Sequence, residues 1–199
     1  MTPQEIATLR PLVFADPSCQ PFLQASDANG LTVHLNGDSG LNAWRSDAPV
    51  NAILDAITWA SYTPNDAVAG SDTDPLLSVK IGRLLTVQTK QMNLQLMLQG
   101  RDRLDTRPSN VRLGLRDAVT QVPTGTNGAL TSPGGGNATT VLNQCVRPAT
   151  RAEVLLAAPS QASDTSGAVS ARVLRFEGEI YPYEVVGLMF NDDGSPRWV

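Results

Sequence analysis

Residues that commonly perform acid–base, nucleophilic or metal chemistry are scarce in this chain of 199 residues. The one histidine, His34, lies in the apolar stretch Leu-Thr-Val-His-Leu, which is more typical of a packing or surface residue than of a catalyst. Cys19 and Cys145 form no CxxC pair, so neither a zinc site nor a disulfide framework is predicted. We expect Cys145 to lie in the core and Cys19 to be partly exposed. No catalytic residue, metal ligand or cofactor is predicted.

Two weaker patterns could also support chemistry. Glu177 and Glu179 flank Gly178 on an expected strand, where a spacing of two places them on one face, as for a general acid and base. Two solvated carboxylates beside a glycine turn are the commoner meaning of such a pattern. The glycine run 134–136 precedes an expected helix and could present N–H groups to an anion. It lacks the Lys-Ser/Thr of a phosphate-binding loop, so a hinge is favoured.

The net charge of −4 hides an uneven distribution along the chain. Residues 1–79 carry two basic and nine acidic residues, residues 80–116 carry eight basic and two acidic, and residues 117–199 carry five basic and eight acidic. The segments therefore have net charges of −7, +6 and −3. An acidic front and a basic middle can complement each other within or between subunits, although solvated helix faces would give the same pattern. With a pI near 4.9, the whole chain is not a basic nucleic-acid binder.

The basic middle segment has acidic residues interleaved, which suits ion pairs within or between subunits. Arg112 and Arg116 are four residues apart on one face of an expected helix, with Arg107 near its start. These three could contact phosphates without reading bases, but the segment lacks the aromatic residues that stack on single strands. No segment approaches the roughly 20 apolar residues of a membrane span, and the first residues do not resemble a secretory signal. We therefore expect no membrane partner.

The elements that would position these residues are mainly helical. Thr2, Pro3 and Glu5 predict a capped first helix with a kink or break at Pro11. A second helix is expected to start at 47–49, a long one to cover about 76–99 before Gly100, and another to cover about 109–121. The long helix has an apolar stripe interrupted by glutamines, which suggests contact with a neighbouring subunit as well as with its own core. Its members are Leu77, Ile81, Leu84, Leu85, Gln88, Met92, Gln95 and Leu96.

The second half of the chain is predicted to be less regular. Residues 123–137 are expected to form a flexible loop, and 138–157 a helix kinked at Pro148 that restarts at the capping pattern of Thr150 and Glu153. A strand over 171–180, a short helix from Pro182 and a polar tail follow. The prediction is a mainly α fold, a bundle of about six helices with one or two short C-terminal strands and extended loops or arms. Residues 1–158 would form the helical body and 159–199 a C-terminal part.

Several short motifs resemble small structural proteins of tailed-bacteriophage virions. They are Thr-Pro-Gln-Glu-Ile-Ala-Thr-Leu-Arg with Phe-Ala-Asp-Pro at 14–17, Val-Arg-Leu-Gly-Leu-Arg-Asp-Ala at 111–118, the block 145–157, and Phe-Glu-Gly at 176–178 with Glu-Val at 184–185. The glycine-rich segment 124–137 departs from that pattern. The resemblance implies no catalytic residue.

The resemblance implies a head-to-tail connector, or another neck protein, that assembles as a homo-oligomeric ring with portal or tail subunits. Two groups of residues would then have roles. Five arginines would face a neighbouring subunit or a DNA channel and touch packaged DNA without sequence specificity: Arg101, Arg103, Arg107, Arg112 and Arg116. The tail 191–199 would be a docking arm that ends in Arg197, Trp198 and Val199. A tail-tip, baseplate or capsid-decorating subunit, a DNA-binding assembly factor and a small enzyme using Glu177 and Glu179 remain alternatives.

Overall fold

A computed structural model describes residues 1–62, 77–122, 137–157 and 169–198, except for the side chains of Leu77 and Val79. Within these ranges the fold is mainly α, which confirms the predicted class. The α-helices are α1 Pro3–Ala15, α2 Gln20–Gln24, α3 Ala28–Asn36, α4 Val50–Ala56, α5 Leu77–Leu98, α6 Ser109–Ala118, α7 Ala138–Asn143, α8 Arg151–Leu156 and α9 Pro182–Met189. A 3-10 helix covers Trp59–Tyr62, and the strands are β1 Asp38–Trp44, β2 Ala48–Pro49, β3 Arg103–Leu104 and β4 Val146–Thr150.

The chain divides into two compact units, each taken here for its described residues. Unit 1 comprises Met1–Ala43, Arg147–Asp164 and Ala171–Val199, and unit 2 comprises Trp44–Val146 and Thr165–Ser170. This division differs from the predicted boundary at residue 158. The C-terminal residues share a core with the first helices because α9 packs on α1 and α3.

Unit 1 is built around a core of apolar residues from α1, α2, α3, α8 and α9. Its fully buried members include Leu9, Leu23, Leu35, Val185 and Met189. The predicted capping boxes of α1 (Thr2 with Glu5) and α8 (Thr150 with Glu153) are both present. Pro11 does not break α1, which continues to Ala15.

Strands β1 and β4 form a two-stranded sheet that replaces part of a predicted helix. The Arg151 N–H donates to the Gly37 carbonyl at 3.0 Å, and the Ser39 hydroxyl donates to the Ala149 carbonyl at 2.7 Å, so the strands run in opposite directions. The predicted helix over 138–157 is therefore wrong in its middle. Pro148 has no N–H for a helix interior but is tolerated in a two-stranded ladder.

The C-terminal strand predicted over 171–180 is also absent from the described residues there. The segment forms one isolated bridge, between Arg172 and Ala43, and Ile180 is instead fastened by the Asn36 side chain, which bonds both its N–H and its carbonyl. The end of this segment is held by a side chain rather than by a neighbouring strand.

Unit 2 combines α4 to α7 with the antiparallel pair β2 and β3, in which Ala48 faces Leu104. The second helix begins at Val50, three residues later than expected, because 48–49 pair with β3. The long helix α5 matches its predicted extent, and Gly100 follows it with φ +71°, a conformation that favours glycine. The Tyr62 hydroxyl donates to the Ala118 carbonyl at 2.6 Å and joins the 3-10 helix to α6. The predicted loop 123–137 lies outside the described residues except for Asn137.

Candidate functional site

The five arginines predicted to face a partner or DNA occupy three kinds of environment. Arg101 is exposed beyond the end of α5. Arg103 on β3 is exposed and donates to the Asp47 carboxylate at 2.6 Å. Arg107 donates to both carboxylate oxygens of Asp105, at 3.0 and 2.8 Å, and this contact lowers the pKa of Asp105. Arg101 and Arg103 are thus exposed at the surface of unit 2, and Arg103, like Arg107, already pairs with a carboxylate of its own unit.

Arg112 is the clearest correction among them, because it is only 1% exposed. Its guanidinium lies 4.8 Å from the centre of the Trp44 ring and donates to the carbonyl of Thr106 at 2.8 Å and to that of Arg107. Burial lowers its pKa. Arg116, one turn later, is half-buried. Arg112 therefore fastens the start of α6 to its own unit and does not reach a partner surface.

Four residues of the predicted apolar stripe of α5 are exposed, and the core of unit 2 covers a different face of this helix. The residues of α5 that are buried include Arg83, Val87, Leu94 and Leu98. At 100° per residue, these lie about 125° around the helix from the centre of the predicted stripe. We name the exposed apolar residues the outer stripe: Ile81 (44% exposed), Leu85 (56%), Met92 (56%) and Leu96 (70%).

No charged residue of α5 lies on the outer stripe. The three cations of this helix are Lys80, Arg83 and Lys90, which are half-buried, buried and half-buried. Lys90 bonds the Asp117 carbonyl of α6. The side chains beside the stripe are uncharged, as in Gln88 and Thr89. A solvated helix face normally carries charge, so this face has the composition of a contact surface.

A groove in unit 2 runs between α4, the 3-10 helix and the C-terminal half of α5. Its volume is about 620 Å³. We name it the α4–α5 groove; its apolar lining consists of Val50, Leu54, Trp59, Leu94 and Leu98. Three glutamines of α5, Gln91, Gln95 and Gln99, also line it, and Arg101 contributes its one ionised side chain.

Trp59 is the prominent side chain of this groove and is about half exposed. Its indole N–H donates to the Leu54 carbonyl at 3.0 Å, and its ring lies 5.8 Å from that of Tyr62. The indole is thus held in place while about half of the side chain stays exposed. The sequence gives no signal for the groove, because its walls come from α4, the 3-10 helix and α5, which meet only in the folded chain.

The predicted docking arm does not extend from the body. Trp198 is half-buried, and its ring makes edge contacts with Phe14 at 6.5 Å and Phe190 at 5.3 Å. The Arg197 backbone N–H donates to the Met189 carbonyl at 2.9 Å, and its side chain donates to the Phe190 carbonyl. Residues 191–198 therefore fold back onto unit 1. The prediction that Arg197 and Trp198 belong to an extended docking arm is wrong. Val199 lies outside the described residues.

The two cysteine thiols and the one imidazole pack against their own units. Cys19 is fully buried, contrary to expectation, and burial raises the pKa of its thiol to about 11, with Asp16 adding to the shift. Cys145 is buried as expected, and its pKa is about 12 for the same main reason. His34 lies 3.0 Å from the Ser18 hydroxyl, and burial, assisted by Arg151, lowers its pKa. Asp16 accepts from the Ser18 backbone N–H, so these three groups do not form a relay.

The Glu177 carboxylate lies 3.6 Å from Arg147, whereas Glu179 is exposed. Arg147 also holds the buried Glu153 at 2.7 Å. Burial alone would raise the pKa of Glu153, but bonds from Arg147 and from the Thr150 and Gly178 N–H groups outweigh it and lower the pKa. Glu177 thus belongs to an ion-pair cluster of unit 1 rather than to a pair with Glu179.

Among the described residues, His, Cys, Asp and Glu form no group of three that could hold a metal ion. In the same part of the chain, every helix is too short or too polar to cross a membrane. The chain matches no protein-family model, and no similar curated protein or solved structure was found. The resemblance to phage structural proteins consequently rests on the short motifs alone.

Proposed function

We propose that this chain is a structural subunit of a tailed-bacteriophage virion, a head-to-tail connector that assembles as a ring and contacts portal or tail subunits. The observation that carries the proposal is the outer stripe of α5. Four large apolar side chains lie along one side of this helix and are 44% to 70% exposed, with no charged residue among them, and depletion of charge is typical of the centre of a protein interface. A subunit whose role is to associate with others needs such a surface. The phage setting comes from the sequence motifs.

The exposed arginines support the same role. Arg101 and Arg103 follow α5 directly and are interleaved with Asp102 and Asp105. Alternating charges of both signs suit a neighbouring protein surface better than a continuous row of phosphates. Contact with packaged DNA would then be non-specific and confined to Arg101 and Arg103. Arg112 has no part in it because it is buried.

The test is to locate the protein in purified phage particles. We expect mass spectrometry to detect it in intact virions, and antibody labelling in electron micrographs to place it at the neck, between head and tail. A fixed ratio to the portal protein would support a ring. Absence from washed particles that still infect would overturn the proposal, and labelling at the tail tip or over the capsid would overturn the connector assignment.

A further inference from the structure

We propose that unit 1 binds an extended, proline-containing segment of another protein, and that Arg10 holds a carboxylate of that segment. The site lies between α1 and α9 and consists of a pair of exposed tyrosines and an adjoining cleft. It shares no residue with the outer stripe of α5, so the inference does not depend on the proposed function.

The exposed face of α9 is uncharged and aromatic. Tyr181 and Tyr183 are 52% and 71% exposed, and their rings stack almost parallel, with centres 5.8 Å apart and planes inclined by 6°. Pro182, Val186 and Gly187 are also exposed on this side. We name Tyr181 and Tyr183 the tyrosine pair. Because each ring supports the other, the pair offers flat surfaces of the kind that line sites for proline-rich segments.

A cleft of about 310 Å³ adjoins the tyrosine pair and lies between α1 and α9. We name it the α1–α9 cleft; its lining includes Met1, Pro3, Ile6, Arg10, Tyr183 and Gly187. Glu184 also borders it, but its buried carboxylate accepts from the Met1 amino group and from the Tyr181 backbone N–H. The charge of Glu184 is thus compensated within the unit, and Arg10 carries the remaining charge among the lining residues.

Gly187 is not required by the packing of unit 1. Glycine is unfavourable in the interior of a helix, yet a Cβ placed on Gly187 would meet no atom within 4 Å. Its φ is not positive, so the backbone conformation does not demand glycine either. The missing side chain keeps the α1–α9 cleft open for a chain that packs directly against α9.

Arg10 has unused hydrogen-bonding capacity at this cleft. Its Nη2 donates to the Gly187 carbonyl at 3.3 Å, which is its one bond to the described residues, and its Nε is buried without a partner among them. A guanidinium has five N–H donors and can bind a carboxylate through two of them. A carboxylate that enters the cleft would therefore meet a cation with donors to spare.

The spacing of these groups suits a segment in the polyproline II conformation. Tyr183 and Gly187 are about 6 Å apart along α9, and Arg10 bonds the Gly187 carbonyl at 3.3 Å, so Tyr183 and the guanidinium are separated by roughly 9 Å. Polyproline II rises about 3.1 Å per residue with three residues per turn, which places every third side chain on one side at about the same separation. We therefore expect a proline on the tyrosine pair and an acidic residue three positions away.

A protein segment fits this surface better than a nucleic acid does. Arg10 provides a single charge, whereas a nucleic-acid strand carries a phosphate at every nucleotide. Glu179, Asp192 and Asp193 are exposed on the residues that flank α9 and would repel a row of phosphates. A single carboxylate near an uncharged proline matches a single guanidinium near uncharged rings.

The experiment follows the amide resonances of the ¹⁵N-labelled full chain during titration with two peptides, Ala-Pro-Pro-Ala-Glu and Glu-Ala-Pro-Pro-Ala, blocked at both ends. We expect at least one peptide to shift resonances of α1 and α9 with a Kd of about 0.1 to 1 mM, as for a small contact. The same peptide with glutamine in place of glutamate should bind about tenfold more weakly. Added salt should reduce that difference, because it screens the charge pair.

Gly187→Leu is the sharpest variant, because it fills the cleft without displacing core atoms. It should weaken peptide binding at least about tenfold. It should not lower the melting temperature, since a Cβ at this position meets no atom and leucine favours a helix more than glycine does. Tyr183→Ala should weaken binding by a similar factor. The control Val33→Ala changes an exposed apolar residue of the same unit and should bind like the wild type.

Arg10→Met separates recognition of the carboxylate from a structural role. This variant should bind the glutamate and glutamine peptides equally, whereas the wild type distinguishes them. A variant that is merely less well folded would weaken both peptides by the same factor and keep their ratio. The matched control is Arg175→Met, at an exposed site of unit 1, which should keep the preference of the wild type.

Three results would overturn the inference: no shifted resonance with either peptide at about 5 mM, equal binding of the glutamate and glutamine peptides by the wild type, or binding that Gly187→Leu and Tyr183→Ala leave unchanged. Binding of a thymidine octanucleotide at the tyrosine pair, with neither peptide bound, would assign the surface to single-stranded DNA and overturn it as well. The proposed function fails separately. Absence of the protein from virions leaves this site standing, and a virion protein that binds neither peptide loses only the site.

Discussion

Helices α5 and α6 pack on each other in unit 2, yet they arrange apolar and charged residues in opposite ways. α5 leaves four large apolar side chains exposed, whereas α6 buries the guanidinium of Arg112. Arg112 can be buried because two carbonyls that accept from its guanidinium and the Trp44 ring stabilise its charge. The comparison teaches that residue type alone does not decide burial. A charged side chain can be buried where the surrounding groups bind its charge. An apolar side chain stays exposed where no surface of its own unit covers it.

The largest effect is expected from removing the buried charge. Arg112→Met should lower the free energy of unfolding by about 3 kcal/mol, because the carbonyls of Thr106 and Arg107 lose a charged donor and Trp44 loses its cation. The matched control Arg101→Met, at an exposed site, should change it by less than about 0.5 kcal/mol. Urea unfolding of both variants measures the difference. Equal effects would mean that Arg112 is not part of the core.

The C-terminal tail contains a residue, Trp198, that was expected in an exposed arm but packs against unit 1. Trp198→Ala should lower the stability by about 2 kcal/mol, less than for a fully buried tryptophan because the side chain is only partly buried. Asp192→Ala, in the exposed part of the same tail, is the control and should have little effect. Thermal unfolding of the isolated chain is the measurement. If the two variants unfold at the same temperature, residues 191–198 form a free arm.

Ion pairs sharpen the contrast between buried and exposed charge. Glu153→Gln should cost about 1.5 kcal/mol, because the buried carboxylate accepts from Arg147 and from two backbone N–H groups. The pKa of Glu153 is lowered in the folded chain, so its contribution is full above about pH 4.5 and is lost as the pH falls through the folded pKa. The exposed pair Arg103–Asp47 is the control: Asp47→Asn should cost less than about 0.5 kcal/mol. Urea unfolding at pH 7 and pH 3.5 should show the gap between wild type and Glu153→Gln narrowing in acid.

The smallest effect on folding is expected from the outer stripe. Leu85→Gln/Met92→Gln should change the stability by less than about 0.5 kcal/mol, because both side chains are already in contact with water. Val87→Gln, on the inner face of the same helix, should cost about 2 kcal/mol or more. A stability loss of that size in the stripe variant, measured by urea unfolding at low protein concentration, would show that the outer stripe packs into the core of unit 2.

Local signals in the sequence were sufficient for the helix boundaries that depend on neighbouring residues. The capping boxes at Thr2 and Thr150 and the glycine after α5 act over three or four residues, so they could be identified without the fold. The pairing of β1 with β4 could not, because the strands are more than 100 residues apart and Asp38–Trp44 contains turn-forming residues. The groove was missed for the same reason, since its walls come from α4, the 3-10 helix and α5.

The sequence by itself determined a mainly α chain, low in the residues of catalysis, with a long helix whose apolar stripe is spaced at the helical period. The helical period predicts which side chains share a face, but it does not predict whether that face lies toward the core or toward solvent. Only the tertiary structure decided this, because α5 has two apolar faces and the core of unit 2 covers the one that holds Val87 and Leu94. It likewise decided that Arg112 lies inside, where carbonyls from residues 106 and 107 satisfy its charge.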